Sequence, residues 1–417
     1  SGVRPCWNCA NLTSRSTLQA HEVGYLCSDR AKFIPFNDHA FFKMIDDLHR
    51  TATEVGTDIK KLTTEVGFNI EPAGLLMDQD LRSIYSPCTH HHRDWMHVIV
   101  QDGVANWETA LILHRMKTCP ANVRLDMVQH FMMQCVLPKQ RGKADKEWLA
   151  DARLKDATLS SFASTMLTVI SVLSMFMDHF QQVPHYLPDH YRCYKLLYSI
   201  VWHLRVDTNI MDRLATLRKI ISDHHQLWAV LYPESDKPKL HHLVHVPDGI
   251  AYLGKVIACF TCERKHRELK RSAINVHRHF EHTTLIDMLN SMTAELEGHD
   301  IFAEQALVRC SRKAVIGAVE LHMSKSALCY CGEVHEDDVC VFMDGSVGKA
   351  IAFWQRADDS PIAIQCVLFD RVVPNVDVFS KSAMTFAPLS DVMDTLIWHR
   401  ICDDRIRVAM PPASVLS

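Results

Sequence analysis

VCVFMDGSVGKAIAFW, residues 339–354, holds two runs of β-branched and aromatic residues around Asp344-Gly345. Ile362 to Phe369 and Ile406 to Met410 are further short runs of the same kind. Asp358-Asp359-Ser360-Pro361 and Pro374-Asn375 punctuate them with turn chemistry. This pattern predicts a small all-β module over residues 324–417, a barrel of the SH3-like size class.

Upstream the spacing is helical. Phe42, Ile45 and Leu48 share one helical face within Phe41 to Thr63. Trp95 to Met116, Arg124 to Val136, Leu159 to Phe180 and Tyr191 to Leu231 read as further helices. Glu263 to Leu296 reads as helical, strongly basic in its first half, and Ile301 to Met323 as helical or mixed. A helical region over 41–323 therefore follows a Cys-rich loop segment, 1–40. The fold class is mainly α with a C-terminal all-β module.

Composition narrows the function classes. The 417 residues are 47% hydrophobic and 23% charged, enough to bury a large core. The net charge of −4 supplies no global basic field, so any nucleic-acid contact must use local patches. Fifteen cysteines, an odd number scattered along a long chain, suit a reducing compartment where thiols pack or bind metal. The most apolar stretch, Phe162 to Met177, is short for a membrane span and laced with Ser and Thr, so it reads as a buried helix. The chain opens at Ser1 and soon reaches a Cys-x-x-Cys pair, which reads as a piece of a longer protein.

Five constellations carry possible chemistry. Cys6-Trp7-Asn8-Cys9 places two thiolates within reach of one zinc ion. The two missing ligands could be His21 and Cys27 or distant histidines; two core cysteines near a loop is the plain alternative. Asp94 and His97 lie one helical turn apart beside the His90-His91-His92 triplet, and Asp94 as a helix N-cap explains them without metal. His241 and His245 stand at i and i+4, a zinc half-site or two hydrogen-bonded histidines on one face. Cys262-Glu263-Arg264-Lys265-His266-Arg267 continues to Lys270-Arg271: a carboxylate beside phosphate-binding cations, or a solvated mixed-charge helix. Cys329 and Cys331, with His335 and Cys340, have a spacer poor for structural zinc and read as packed cysteines.

The order of these motifs resembles the second half of CACTA-type DDE transposases, over about residues 6 to 290. That family carries a Cys-x-x-Cys after its second catalytic Asp, as Cys6–Cys9 stand here. Its Asp-x-Met-His motif is matched by Asp94-Trp95-Met96-His97. Its His-rich run and Gly ahead of a Glu-Arg are matched by His241 to His245, Gly254 and Glu263-Arg264. The related recombinase that assembles antigen-receptor genes pairs a Cys-x-x-Cys with two histidines just ahead of its Glu. By that analogy Cys6, Cys9, His241 and His245 share one structural zinc.

The resemblance implies DNA as partner, a nuclear location and a remnant of an RNase H-like sheet with a large helical insertion. Strands of that sheet are expected near the start of the chain or around Val256 to Phe260. It makes Glu263 the third metal carboxylate, Asp94 and His97 an accessory motif, and Arg264, Lys265, Arg267, Lys270 and Arg271 phosphate contacts. The family's first two catalytic Asp residues precede the Cys-x-x-Cys, and two Mg²⁺ ions need carboxylates on both sides. Mg²⁺ therefore belongs only to an intact core, and this chain is expected to be catalytically incomplete. The alternative is a non-catalytic, zinc-stabilised DNA-binding or scaffold protein. A homo-oligomer is compatible with either. A third reading, a hydrolase built on His90 to His97, lacks a third-ligand carboxylate at a recognisable spacing.

Overall fold

The computed structural model describes residues 6–9, 33–55, 74–139, 143–155, 158–206, 209–235, 237–259, 285–286, 305–309, 312–316, 319–357, 360–373 and 376–412. Its α-helices are α1 (Asp38–Val55), α2 (Gln79–Arg82), α3 (Pro87–His90), α4 (Val104–Thr118), α5 (Leu125–Gln134), α6 (Ala163–His179), α7 (Gln182–Tyr186), α8 (Pro188–Arg205), α9 (Leu214–Leu231) and α10 (Pro238–Leu253). Contacts divide the chain into two units: residues 1–115, 155–166 and 182–257, and residues 116–154, 167–181 and 258–417.

The first unit is helical. α8 is its centre: its first turn is exposed, but its later turns bury Cys193, Tyr194, Leu197, Ile200, Val201, Trp202 and Leu204. α4 is also deeply buried, and it carries polar groups inward: Asn106, Glu108 and Thr109 are fully covered. Asn106 is satisfied by the backbone of Leu159, accepting from its N–H at 3.0 Å and donating to its carbonyl. α9 packs between α8 and α10. Pro238 opens α10 and Gly254, with φ 71°, closes it in the left-handed region. Lys239 Nζ donates to the carbonyls of Gln101 (2.9 Å) and Asp102 (2.8 Å), fixing the start of α10 beside the π-helical turn Met96–Val100. At the edge of this unit, Phe41 and Ile45 of α1 pack with Trp7, Phe36 and Met77.

The second unit carries most of the β structure, and more of it than the sequence suggests. β1 (Cys135–Val136) precedes β4 (Ala306–Leu307), β5 (Arg312–Ile316), β6 (Val319–Ser324), β7 (Ser326–Cys329), β8 (Gly332–His335), β9 (Val339–Phe342), β10 (Val347–Arg356), β11 (Ala363–Val373), β12 (Val376–Pro388), β13 (Val392–Leu396), β14 (Trp398–Cys402) and β15 (Arg405–Val408). The short pair β2 (Leu154–Lys155) and β3 (Thr158–Leu159) lies apart from these. Among the described residues the main sheet is ten-stranded and antiparallel, in the order β1-β14-β15-β12-β11-β10-β6-β5, with β9 joining β10 to β13. Its core is Cys340, Phe342, Phe353, Ile364, Cys366 and Val392 with their neighbours. Asp344-Gly345 is the expected turn: Gly345 has φ 80° and Asp344 Oδ1 accepts from Ser346 N at 2.9 Å.

Three expectations change. The described strands form an open path with free ends at β1 and β5, so the small SH3-like barrel is replaced by a larger open sheet. The helical or mixed segment Ile301 to Met323 contains β4, β5 and most of β6 instead; Arg312–Ile316 and Val319–Ser324 pair edge to edge as an antiparallel ladder. Val256–Cys259 is not a strand, and the only sheet-like contact near the start is a single bridge between Cys9 and Pro35 among the described residues. An RNase H-like sheet is therefore not seen in either expected place among those residues. No helix among them is long and apolar enough to cross a membrane, as read for Phe162 to Met177.

Candidate metal centre

The loop Cys6-Trp7-Asn8-Cys9 is held by backbone and ring contacts. Phe36 N donates to Asn8 O at 3.0 Å, and Asn8 Nδ2 donates to Cys88 O at 2.6 Å. Trp7 stacks on His91 with ring centroids 4.8 Å apart and on Phe41 at 5.7 Å. The indole between the cysteines thus anchors the loop, while both thiols turn inward: Cys6 and Cys9 are each 1% exposed.

There they meet α10. Cys9 Sγ is 3.3 Å from His245 Nε2, and His245 Nε2 is 3.2 Å from His241 Nε2. One atom from each of Cys6, Cys9, His241 and His245 lies within 4.8 Å of every other. Zinc bonds of about 2.3 Å to sulfur and 2.0–2.1 Å to nitrogen would put S···N near ~3.6 Å and N···N near ~3.3 Å around a tetrahedral ion. The observed separations match within a few tenths of an ångström. Two thiolates also balance a divalent cation, which a buried site requires. The donor set is closed and sulfur-rich, the kind that holds structure and not substrate.

The surroundings favour the charged sulfur. Arg93 donates to Cys6 Sγ at 3.3 Å, and Asn8 N donates to it at 3.3 Å. The Cys6 thiol is held far below its ordinary range, first by the contact with Cys9 and then by His241 and His245, against the opposing effect of burial. On the same face of α10, Asp248 Oδ2 lies 3.5 Å from His245 Nδ1, and Arg218 donates to Asp248 Oδ1 at 3.2 Å. This is the carboxylate–histidine arrangement that orients a metal-binding ring. Burial pushes the His245 pKa down, but Asp248 and Cys6 outweigh it and leave it raised. His241 Nδ1 is buried with no hydrogen-bond partner, so only one of the two histidines has such support. Phe33 covers both rings at 4.4 and 5.1 Å. A cavity of about 420 Å³ opens beside the cluster, lined by Cys9, Phe33, His91, His92, Arg93 and Tyr252 among others.

The other constellations fall differently. Asp94 caps the π-helical turn, accepting from Met96 N at 3.2 Å and His97 N at 3.3 Å, and its second contact is the His97 ring. The N-cap explanation therefore describes it, with His97 exposed beside it. His91 is spent on Trp7 and on Arg93, which donates to its Nε2 at 2.7 Å; His92 packs on Tyr252 at 5.0 Å. Among the described residues no three-ligand group includes His90, His91 or His92. Cys329 and Cys331 have their sulfurs 3.1 Å apart, and Cys329 and Cys340 lie in the sheet core, as packed cysteines do. Glu263, Arg264, Lys265, Arg267, Lys270 and Arg271 lie outside the described residues, as do His21 and Cys27.

Sequence reasoning missed Arg93, Asp248 and Phe33. Asp248 was within reach, because it stands three residues after His245 on the same helical face. Arg93 and Phe33 had no spacing to announce them. The chain matches no protein-family model, no curated protein and no solved structure.

Proposed function

We propose that this is a transposase-derived, DNA-acting nuclear protein of the CACTA-related DDE type, with Cys6, Cys9, His241 and His245 holding a structural zinc. One observation carries the reading. Two half-sites whose members Cys9 and His245 are 236 residues apart come together in one buried cluster. Spacing alone left each half with local alternatives; the motif order resembling that family is what pairs them.

Zinc would supply a fixed cross-link there and no reaction chemistry. The chain's residues do the rest. The Cys6–Cys9 loop clamps α10, and α10 ends at Gly254, nine positions before Glu263. Holding α10 fixes where the following segment begins. In that segment Glu263 would serve as one metal carboxylate, and Arg264, Lys265, Arg267, Lys270 and Arg271 would line the phosphate backbone. Asp94 and His97 would keep the π-helical turn in place beside α10. The helical unit would correspond to the family's insertion into an RNase H-like fold. Bound Mg²⁺ would align water and the leaving 3′ oxygen in an intact core, which needs carboxylates beyond Glu263.

The closed donor set also suits the non-catalytic form of this reading, a zinc-stabilised DNA-binding or scaffold protein. Zinc content and DNA binding test both forms. The chain should carry zinc that is lost in Cys9→Ser and in His245→Ala. It should bind duplex DNA with a log–log salt slope of about −4 to −5, if five cations neutralise five phosphates. Replacing Arg264, Lys265, Arg267, Lys270 and Arg271 with Gln should flatten that slope. Zinc retained in His245→Ala, or no DNA binding at low salt, would overturn the proposal. Mg²⁺-dependent strand cleavage separates the enzyme from the scaffold, and sedimentation shows whether a homo-oligomer forms.

A further inference from the structure

A second group of metal-binding side chains sits deep in the helical unit, away from the Cys6–His245 cluster. Glu108 on α4, Cys193 on α8 and His224 on α9 are each 0% exposed. Their ligand atoms lie within 4.8 Å of one another. Burying a carboxylate this completely is costly unless a cation accompanies it.

The hydrogen bonds around His224 point to a place for that cation beside Glu108. His225 Nε2 lies 2.7 Å from the Leu240 carbonyl, which can only accept, so His225 donates there. His225 Nδ1 faces His224 Nδ1 at 3.3 Å, and the ring also bonds the Ile221 carbonyl one turn back. In the tautomer in which His225 donates through Nε2 alone, His224 donates to its Nδ1, and the lone pair of His224 Nε2 points at Glu108 Oε2, 2.8 Å away. Two acceptors at that distance need a positive particle between them, a proton or a metal ion. His224 is also held as metal-binding histidines are held, its second nitrogen donating to an outer partner.

Other polar atoms around the group are unspent. Glu108 Oε1, Tyr232 Oη and His190 Nε2 are buried with no hydrogen-bond partner. His190 and Tyr232 lie against each other at 5.6 Å between ring centroids, and Trp228 links Tyr232 (4.9 Å) to His224 (5.9 Å).

We infer that Glu108, Cys193 and His224 form a second, buried site for a zinc-class divalent cation that ties α4, α8 and α9 together. Two anionic ligands and one neutral ring make the loaded site neutral, which full burial demands. Tyr232 or a water held by His190 completes four-coordination. Loading releases two protons, one from the Cys193 thiol and one held between Glu108 and His224, so the buried charge does not change. The Glu108–His224 contact opens by about half an ångström to admit the ion. None of this depends on the transposase reading or on the first cluster.

Metal content of the full chain, reloaded with zinc, tests it. Two zinc ions per chain are expected, falling to one in Cys193→Ser, one in Glu108→Gln and one in Cys9→Ser. Both Cys193→Ser and Glu108→Gln keep the buried volume. A count unchanged in Cys9→Ser but lowered in Cys193→Ser leaves this site standing and removes the first. X-ray absorption of the unmutated chain needs no variant to fold: two sites average about 1.5 sulfurs per zinc, one Cys₂His₂ site about 2. A single zinc with two sulfurs, or a count unmoved by Cys193→Ser and Glu108→Gln, would show instead a proton-bridged polar cluster and end the proposal.

Discussion

Asp248→Asn should weaken zinc binding about tenfold without abolishing it. Asp248 Oδ2 stands 3.5 Å from His245 Nδ1, beyond ordinary hydrogen-bond length, while its other oxygen accepts from Arg218. Two full charges at that separation would attract by about 5 kcal/mol at an effective dielectric of 20. A metal-bound imidazole N–H carries only a fraction of a charge, and Arg218 already holds part of the carboxylate's field. About 1.4 kcal/mol remains, a factor of ten, at the low end of the 10–100-fold range for outer-shell partners. The amide keeps the shape and an oxygen to accept from the ring, so the fold should stand. Competition against a chromophoric chelator measures the change, with Arg218→Gln alongside and expected to shift affinity less. An unchanged affinity in Asp248→Asn would show that His245 is oriented by α10 alone. Complete loss of zinc would show that Asp248 is itself a ligand, and the Cys6–Cys9–His241–His245 set would have to be redrawn.

Three further outcomes follow from the packing. Burial, then the charge of Arg213, lowers the His203 pKa from 6.5 to about 4. The unfolded chain therefore takes up that proton first as pH falls; the stabilising effect is complete above about pH 6.5 and drains away toward pH 4. The loss is about 3 kcal/mol, and His203→Gln should flatten this part of a pH series of urea melts. Gly348→Val should destabilise the sheet by about 1–3 kcal/mol, because a Cβ there meets Phe342 at 2.9 Å and Cys366 at 3.2 Å; thermal melting reads the change, and a neutral result would mean that the Phe342 ring yields freely. Strong chelators should speed amide exchange at Asn8 and Phe36 by at least tenfold while leaving the core of α8 protected.

What the sequence showed, and what it hid, follows from the range of each interaction. The Asp344-Gly345 turn, β9, β10 and the helix within Phe162 to Met177, largely buried from Met166 onward although Phe162 itself is exposed, were legible because they rest on local periodicity and turn chemistry. β12 was not, although it spans thirteen residues: Lys381, Met384 and Phe386 are exposed along it, so its apolar residues do not alternate toward one core face. The strands Arg312–Ile316 and Val319–Ser324 were not resolved within Ile301 to Met323, read only as helical or mixed, since short runs with mixed polarity fit either period. The metal half-sites were legible separately. Their union came from the resemblance, because no spacing rule connects Cys9 to His245. Glu108 gave no signal at all: in sequence it is one acid on a mixed helix, and only the packing of α4, α8 and α9 buries it.

A zinc ion held as proposed by Cys6, Cys9, His241 and His245 would call, in a chain this size, for a reason other than folding itself. Small metal-dependent domains need the ion because their cores are too small. Here α8 and α4 already bury a large apolar centre without help from Cys6 or Cys9. The Cys6–Cys9 loop, in contrast, is tied through single contacts of its side chains and backbone, among them Trp7 on His91 and Phe41, a bond from Phe36, Asn8 on Cys88 and Arg93 on Cys6. A cross-link at that point adds little to global stability and much to the local position of the loop and of α10. Under the proposed reading its value would lie in what α10 holds in place, which is the turn beside Asp94 and the start of the chain that leads to Glu263. Zinc loss should accordingly impair whatever that segment does well before it unfolds the protein, and it is this separation of function from stability that a positioning role requires.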